Sequence, residues 1–465
     1  MTEVVRGEIS KRAFAIRGVI EGFYGPPWSH KERLGFLEFM ADHRMNMFVF
    51  SPKDEPLLRH DWAEKPDGVW VERIQELRTR ASDLGIRFAI ALSPGLSIRY
   101  SDQDDRSRLI GKLRFFADMG VRDFGLFLDD IPSQLQWPRD QQTFTSLAEA
   151  HQSLVIAAHE FLSEIEGSSL MVCPETYWGS GTEPYLAELS RGLPLEIDIM
   201  WTGKSICSAT LEATDAVVFA ETTGRPPLYW DNYPVNDVAM SHELHLGPYE
   251  RRDPELYNTS RGIIVNAMEM AEASKIAIAT VADFLADPFG YDTEDSWVRS
   301  IATVTKNAKD AAAFEVFAGN SRSSCLSLSD AEEIDRALAA LEFSNISGVL
   351  EPGILAMSSL AKKLEDSAEH LLSGDFGNKE LISQCRPWLD TFRIGAEILR
   401  HLATLAHERQ LDSVRASKLE PDFTRLRSTG KRVFGDSLEM FLGHLIRESQ
   451  VTTTPTTTTT NNEEQ

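Results

Sequence analysis

Two adjacent aspartates, Asp129 and Asp130, close the apolar run Phe124-Gly125-Leu126-Phe127-Leu128. Such a run reads as a buried strand. Ending it in two carboxylates is costly unless the acids face a polar site, because an unpaired charge resists leaving water. Like charges this close push their pKa values apart, which is how one carboxyl group stays protonated near neutral pH and can serve as a general acid. An isolated Asp-Asp pair is more often a cap on a turn or helix, so its chemical meaning depends on the company it keeps.

That company lies at the ends of other apolar runs. Ile16 to Ile20 leads into Glu21-Gly22-Phe23-Tyr24-Gly25-Pro26-Pro27-Trp28, and Met47 to Phe50 into Ser51-Pro52-Lys53-Asp54. Phe88 to Leu92 leads into Ser93-Pro94-Gly95, and Leu170 to Cys173 into Pro174-Glu175-Thr176-Tyr177-Trp178. Ile197 to Met200 precedes Trp201-Thr202-Gly203, Pro227 to Tyr229 precedes Trp230-Asp231-Asn232, and Ile263 to Val265 precedes Asn266. These ends gather Trp28, Tyr177, Trp178, Trp201 and Trp230 with Lys53, Asn232, Asn236, Asp237 and Asn266. Aromatic faces cover the C–H face of a sugar while amides and carboxylates pair with its hydroxyls, so the set suits a neutral, polyhydroxylated ligand. Taken singly, each aromatic reads more readily as core or rim.

The elements that position these groups alternate. Amphipathic stretches such as Lys31–His43, Trp70–Leu84 and Ser146–Ile165 separate the apolar runs. Apolar strands alternating with helices imply a parallel sheet covered on both faces. About eight such units predict a (β/α)8 TIM-like barrel over residues 15–287, with the polar clusters at the carboxyl ends of the strands, where such barrels keep their chemistry. No Gly-x-Gly-x-x-Gly follows the first strand, which argues against an open dinucleotide-binding sheet. Residues 1–14 form an N-terminal segment. Residues 288–448 read as a helical bundle domain, with helical patterns at Ser296–Phe317, Asp330–Leu341, Gly353–Leu372, Lys379–Glu408 and Phe423–Glu448. Leu389, Phe392, Ala396, Leu399 and Ala403 draw an apolar stripe along the fourth, and Pro387 marks either its true start or a kink. Residues 449–465, rich in Thr, are expected to be disordered.

The formal net charge of −24 argues against nucleic acid or an anionic membrane as a partner, since phosphate binding needs clustered Lys and Arg. No apolar run reaches membrane length, and the polar Met1–Lys11 lacks an apolar signal core, which favours a cytoplasmic protein. Cys173, Cys207, Cys325 and Cys385 are scattered and read as reduced. His242-Glu243-Leu244-His245 has the wrong spacing for the helical His-Glu-x-x-His pair, so no metal site is expected.

Taken together, Gly18-Val19-Ile20-Glu21-Gly22-Phe23-Tyr24-Gly25-Pro26-Pro27-Trp28 and Ser51-Pro52-Lys53-Asp54 resemble motifs of glycoside hydrolase family 84, the O-GlcNAcase and hyaluronidase-like β-N-acetylglucosaminidases. Leu92-Ser93-Pro94-Gly95, Leu128-Asp129-Asp130-Ile131, Cys173-Pro174-Glu175-Thr176-Tyr177, Trp201-Thr202-Gly203, Trp230-Asp231-Asn232 with Asn236-Asp237, and Leu246-Gly247-Pro248-Tyr249 continue the series in the family's order. The resemblance covers residues 15–285, and the helical part is similar to the domain that follows the barrel in bacterial members.

The resemblance implies a retaining hydrolase whose nucleophile is the 2-acetamido oxygen of the substrate, which attacks the anomeric carbon to form an oxazoline. Asp129 would orient the acetamide N–H; Asp130 would protonate the leaving oxygen and then deprotonate water. Tyr177 and Asn232 would hold the acetamido group, Trp230 would wall its pocket, and Gly22, Lys53, Asp237 and Asn266 would bind sugar hydroxyls. No cofactor is implied. Val238 stands where several relatives carry Tyr, which puts a rim contact in doubt. The implied partners are GlcNAc-bearing proteins or glycans, with a homodimer possible; a non-catalytic GlcNAc-binding protein is the alternative from another class.

Overall fold

The computed structural model describes residues 10–326, 331–408 and 416–452. Two compact units divide the chain: the first holds most residues up to Ser300 and a short return beginning at Ser324, the second holds 301–323 and the later helices.

In the first unit eight parallel strands close on themselves: β1 (Ile16–Glu21), β2 (Met47–Phe50), β3 (Arg87–Leu92), β4 (Asp123–Phe127), β5 (Ser169–Cys173), β6 (Asp198–Trp201), β7 (Leu228–Asp231) and β8 (Gly262–Asn266). The expected (β/α)8 barrel is therefore the fold observed. β1 pairs with β2 on one side and with β8 on the other, so that Gly18 lies opposite both Met47 and Ile264.

Alternate side chains of each strand fill either the barrel interior or the layer beneath the helices. Ile20, Val49, Ala89, Ala91, Phe127, Met200 and Trp230 belong to the inner cluster. Small residues there make room for large ones: a Cβ on Gly125 would lie 2.6 Å from Ala91 Cβ and 2.8 Å from the Phe127 ring. Val19, Phe48, Phe124, Ile199 and Ile263 point outward into the helix layer, joined by Trp28, Phe36, Leu77 and Phe116. Side-chain caps start several of these helices. Ser29 and Glu32 form a reciprocal box at His30–Asp42, and Asp67, Asp102 and Ser146 cap Gly68–Asp83, Gln103–Asp118 and Leu147–Ser163. Among the described residues no helix is long and apolar enough to cross a membrane.

The second unit is helical, with Ala308–Gly319, Glu332–Ser347, Glu351–Leu372, Lys379–His407, Ala416–Ser428 and Ser437–Thr452. Two of the expected single helices are each two. Lys306 adopts a left-handed φ of 70° and Asn307 caps the next helix, which breaks Ser296–Phe317. Gly430, Phe434 and Gly435, all left-handed, interrupt Phe423–Glu448. Pro387, by contrast, neither starts nor stops its helix, which begins at Lys379 and runs through it. Leu381 and Cys385 before the proline are as buried as Leu389 and Phe392 after it, so packing on both sides offsets the lost backbone donor. Gly395 has the ring of Phe434 seated where a Cβ would stand. Of the tail expected to be disordered over 449–465, positions 449–452 belong to the helix Ser437–Thr452, and the rest lies outside the described residues.

Candidate active site

The strand-end clusters lie at the carboxyl end of the parallel barrel, and hydrogen bonds tie several of them into connected sets. Glu21, the last residue of β1, is fully buried. Arg33 donates to both of its oxygens at 2.7 Å and the Trp28 amide donates at 3.0 Å. Burial raises this carboxyl's pKa, with the guanidinium opposing. The anchor folds the Gly22–Pro27 loop over the barrel mouth. Gly22 donates its amide to Asn266 Oδ1 at 3.2 Å, and a Cβ on it would stand 2.7 Å from the Trp230 ring. Only glycine lets the loop and this ring meet.

Asn232 completes that corner. Its Oδ1 accepts from Trp230 Nε1 at 2.9 Å and from Asn266 Nδ2 at 3.1 Å, while its Nδ2 donates to the Ile206 carbonyl at 2.8 Å. Gly22, Asn266, Asn232 and Trp230 are thus one network, drawn from β1, β8 and β7.

The aspartates stand beyond β4. Asp129 is buried, and Lys53, from the loop after β2, donates to its Oδ2. Its other oxygen, Oδ1, is buried with no donor among the described residues. Lys53 Nζ also lies 3.5 Å from Asp130 Oδ2, and it faces the rings of Trp230 and Tyr24 at 5.4 and 5.7 Å. Burial works against the ammonium, but the two carboxylates outweigh it and leave its pKa raised.

Asp130 adopts a left-handed φ of 55°, which turns its side chain away from the strand direction and leaves it about one-third exposed. The Tyr24 hydroxyl donates to Oδ2 at 2.7 Å and the Tyr177 hydroxyl to Oδ1 at 2.9 Å. Burial would raise this carboxyl's pKa; Lys53, the two phenols and Arg59 overcome it and hold it below the ordinary value. The like-charge argument from the sequence anticipated a raised value for one member of the pair. At Asp130 the Lys53 ammonium, within reach of both carboxylates, outweighs that repulsion.

Tyr177 is placed by the β6 loop: the Thr202 amide donates to its carbonyl at 2.8 Å, and Gly179 donates to Gly203 at 3.0 Å. Asp237 accepts from the Tyr24 amide at 2.7 Å, and burial raises its pKa. Val238, next in line, points to solvent with a left-handed φ of 48°.

The structure thus brings Gly22, Lys53, Asp129, Asp130, Tyr177, Trp230, Asn232, Asp237 and Asn266 into connected sets. It removes Trp28 and Trp201 from the sugar-facing aromatics. Trp28 packs on Phe36 and Trp201 stacks on Phe219, both in the layer under the helices. Trp178 is exposed.

Three contributors escape the sequence. Tyr24 links Asp130 to Asp237, and its place within the first strand-end motif was its signal. Arg59 lies 5.3 Å over the Tyr24 ring, with no local pattern to mark it. The buried Asp231 is gripped by Arg252 and Tyr249 and fixes the start of the Asn232 turn. Among the described residues, no three of His, Cys, Asp and Glu gather as metal ligands.

Residues 17–319 match the family model described as beta-N-acetylglucosaminidase. The chain is 31% identical over 295 residues to the rat and mouse proteins named Protein O-GlcNAcase, an alignment that covers 60% of this chain and 32% of each relative. The match therefore spans about a third of those curated relatives. An aspartate-to-asparagine mutant of the Thermobaculum terrenum O-GlcNAc hydrolase superposes with a TM-score of 0.88 at 31% identity, over 94% of this chain and 95% of that one. The structure of CpGH84B superposes at 0.81 with 27% identity, over 93% of this chain and 77% of that one.

Proposed function

Because the chain belongs to glycoside hydrolase family 84, the β-N-acetylglucosaminidases, we propose that it is a retaining exo-β-N-acetylglucosaminidase that uses the substrate's own acetamide as nucleophile. The observation that carries this reading is the state of Asp129. One oxygen is neutralised by Lys53, and the other is buried without a donor. A buried acceptor left unpaired is expensive, and an amide N–H from the ligand is the kind of group that would satisfy it. An ionised carboxylate at that N–H makes the acetamide oxygen more nucleophilic and stabilises the charge of the oxazolinium as it forms.

Asp130 is the acid and base in this reading. It is the more exposed of the pair, set at the mouth where a leaving oxygen and then a water would arrive. Both carboxylates reach the same Lys53 ammonium, so they line one side of the site. An enzyme nucleophile instead needs a carboxylate across the sugar from the acid. Tyr177 and Asn232 hold the acetamido group against Trp230, and Gly22, Lys53, Asp237 and Asn266 bind the hydroxyls. Residues 15–287 carry this chemistry.

The favoured substrate is O-linked GlcNAc on Ser or Thr of proteins, a reading supported by the names of the mammalian and Thermobaculum relatives. The four free thiols fit a reducing, cytoplasmic setting. Hydrolysis of an aryl β-GlcNAc substrate, followed by NMR, tests the reaction. The first-formed sugar should be the β-anomer, and the matching β-glucoside, which lacks the acetamide, should be essentially untouched. Equal rates on both sugars would sink the mechanism. Rates on a GlcNAc-modified protein against a chitobiose-type disaccharide and hyaluronan fragments decide the substrate.

A further inference from the structure

The two phenols that hold Asp130 are both tied at the backbone, Tyr24 through its amide to Asp237 and Tyr177 through its carbonyl to the Thr202 amide, but their rings have different surroundings. Tyr24 donates to Oδ2 from a ring faced by the Lys53 ammonium and the Arg59 guanidinium. Tyr177 donates to Oδ1 at 2.9 Å from a half-buried ring packed on the inner cluster that holds Cys173 and Trp230. That ring also sits within electrostatic reach of Asp129, whose Oδ1 has no donor. A phenol has one proton to donate. If the acetamide of a ligand enters between Asp129 and Trp230, its carbonyl oxygen and Asp130 compete for the same Tyr177 hydroxyl.

We propose that Tyr177 is an exchangeable donor: it holds Asp130 ionised in the free site and turns to the acetamide oxygen when a 2-acetamido sugar binds, so that binding itself makes Asp130 take up the proton it delivers. This rests on the reading of the site given above. Tyr177 keeps its own proton throughout and only its acceptor changes. Asp130 takes a proton from solvent and passes it to the glycosidic oxygen as the anomeric C–O bond breaks and the acetamide oxygen bonds to that carbon. It recovers a proton from the water that opens the oxazoline.

The other groups facing Asp130 do not face this choice. Lys53 and Arg59 favour its ionised form, Asp237 and it disfavour each other's charge, and the adjacent Asp129 carboxylate opposes it as a like charge. The Cys173 thiol stays neutral because burial pushes its pKa far up. Tyr24 lies on the side of Lys53 and Arg59, whose cations face its ring. A hydrogen bond to a charged group is worth enough that losing it raises a carboxyl's pKa by about one to two units.

The test is proton uptake on binding GlcNAc, measured by calorimetry of the full chain in buffers of different ionisation enthalpy across a pH series. The wild type should take up a large fraction of one proton in a window of pH, and Asp130→Asn should take up none. Tyr177→Phe should show little uptake, because its Asp130 lacks that hydrogen bond in both states. Tyr24→Phe should keep the wild-type uptake with the window moved to higher pH, since its bond is lost from free and bound forms alike. Glucose, which lacks the acetamide, should bind without uptake, an arm that needs no variant. Uptake in Tyr177→Phe equal to wild type, uptake with glucose, or none in the wild type overturns the proposal. If the wild type hydrolyses β-GlcNAc yet shows no uptake, the shared donor alone is refuted. If it neither binds GlcNAc nor cleaves its glycosides, the functional reading falls and takes this proposal with it.

Discussion

Arg252 grips Asp231 through two hydrogen bonds, Nε to Oδ2 at 2.9 Å and Nη2 to Oδ1 at 2.7 Å, with both side chains out of water. Tyr249 adds its hydroxyl to Oδ2 at 2.6 Å, and the guanidinium also donates to the carbonyls of Ser208 and Ala209. The ion pair thereby joins the end of β7 to the loop after β6, one residue before Asn232.

Removing one partner of such a pair leaves a buried charge alone. Arg252→Met should therefore cost about 3–5 kcal/mol of stability. Chemical denaturation of the variant measures this, and a loss below ~1 kcal/mol would show that Asp231 finds another partner or a proton.

The two catalytic candidates should separate by leaving group. Asp130→Asn should lose about 10²–10⁴-fold on alkyl glycosides and far less on activated aryl ones, which need little protonation. Asp129→Asn should slow both kinds, because in the proposed mechanism oxazoline formation depends on it in each. Parallel leaving-group plots for the two variants would overturn the assignment of roles.

Stability should fall with acid for a reason remote from the site. His151 is fully buried between the hydroxyls of Tyr100 and Tyr185, at 2.8 and 2.6 Å. Burial lowers its pKa to about 3. The unfolded value is near 6.5, so between these limits the unfolded chain holds a proton that the native imidazole refuses. The stability is present above the window and is lost as pH falls through it. Going from pH 7 to pH 5 should cost roughly 2 kcal/mol at this residue. Urea titrations of wild type and His151→Gln at both pH values should show a smaller drop in the variant.

Gly22→Ala should displace the Trp230 ring or the loop, since its methyl would stand 2.7 Å from that ring. Overpacking of this kind costs about 1–3 kcal/mol. KM for an aryl β-GlcNAc substrate should rise together with the fall in melting temperature. A variant with wild-type KM would show that the ring yields without cost to the site.

The barrel was legible because parallel strands buried on both faces spell themselves as unbroken apolar runs. All eight observed strands overlap the expected ones, and β7 differs mainly in reaching Trp230 and Asp231. The helical unit was less legible at its breaks. Lys306-Asn307 and the Gly430–Gly435 stretch interrupt periodic patterns with turns that hydrophobic spacing does not register. Within the site, residue types at the strand ends pointed to a sugar, but the partners did not announce themselves. Tyr24 and Asp130 lie 106 residues apart, and which of the many tyrosines meets the carboxylate is decided by the closing of the barrel. The ionisation of Asp130 escapes the sequence for the same reason: its nearest charge along the chain is Asp129, and the ammonium that outweighs that neighbour arrives from another loop.

The pairing of β1 with β8 sets a schedule for the nascent chain. Ile16 waits for Gly262, so the first strand must keep one flank unpaired while the 246 positions that follow Ile16, up to and including Gly262 (262 − 16), are made. At a synthesis rate of about 5–20 residues per second, that wait lasts roughly 12–50 s. Throughout it the growing sheet presents two open edges, each a template for pairing with another chain. This protein should therefore be most prone to aggregate on the ribosome just before residue 266 emerges, and least prone once the ring has shut.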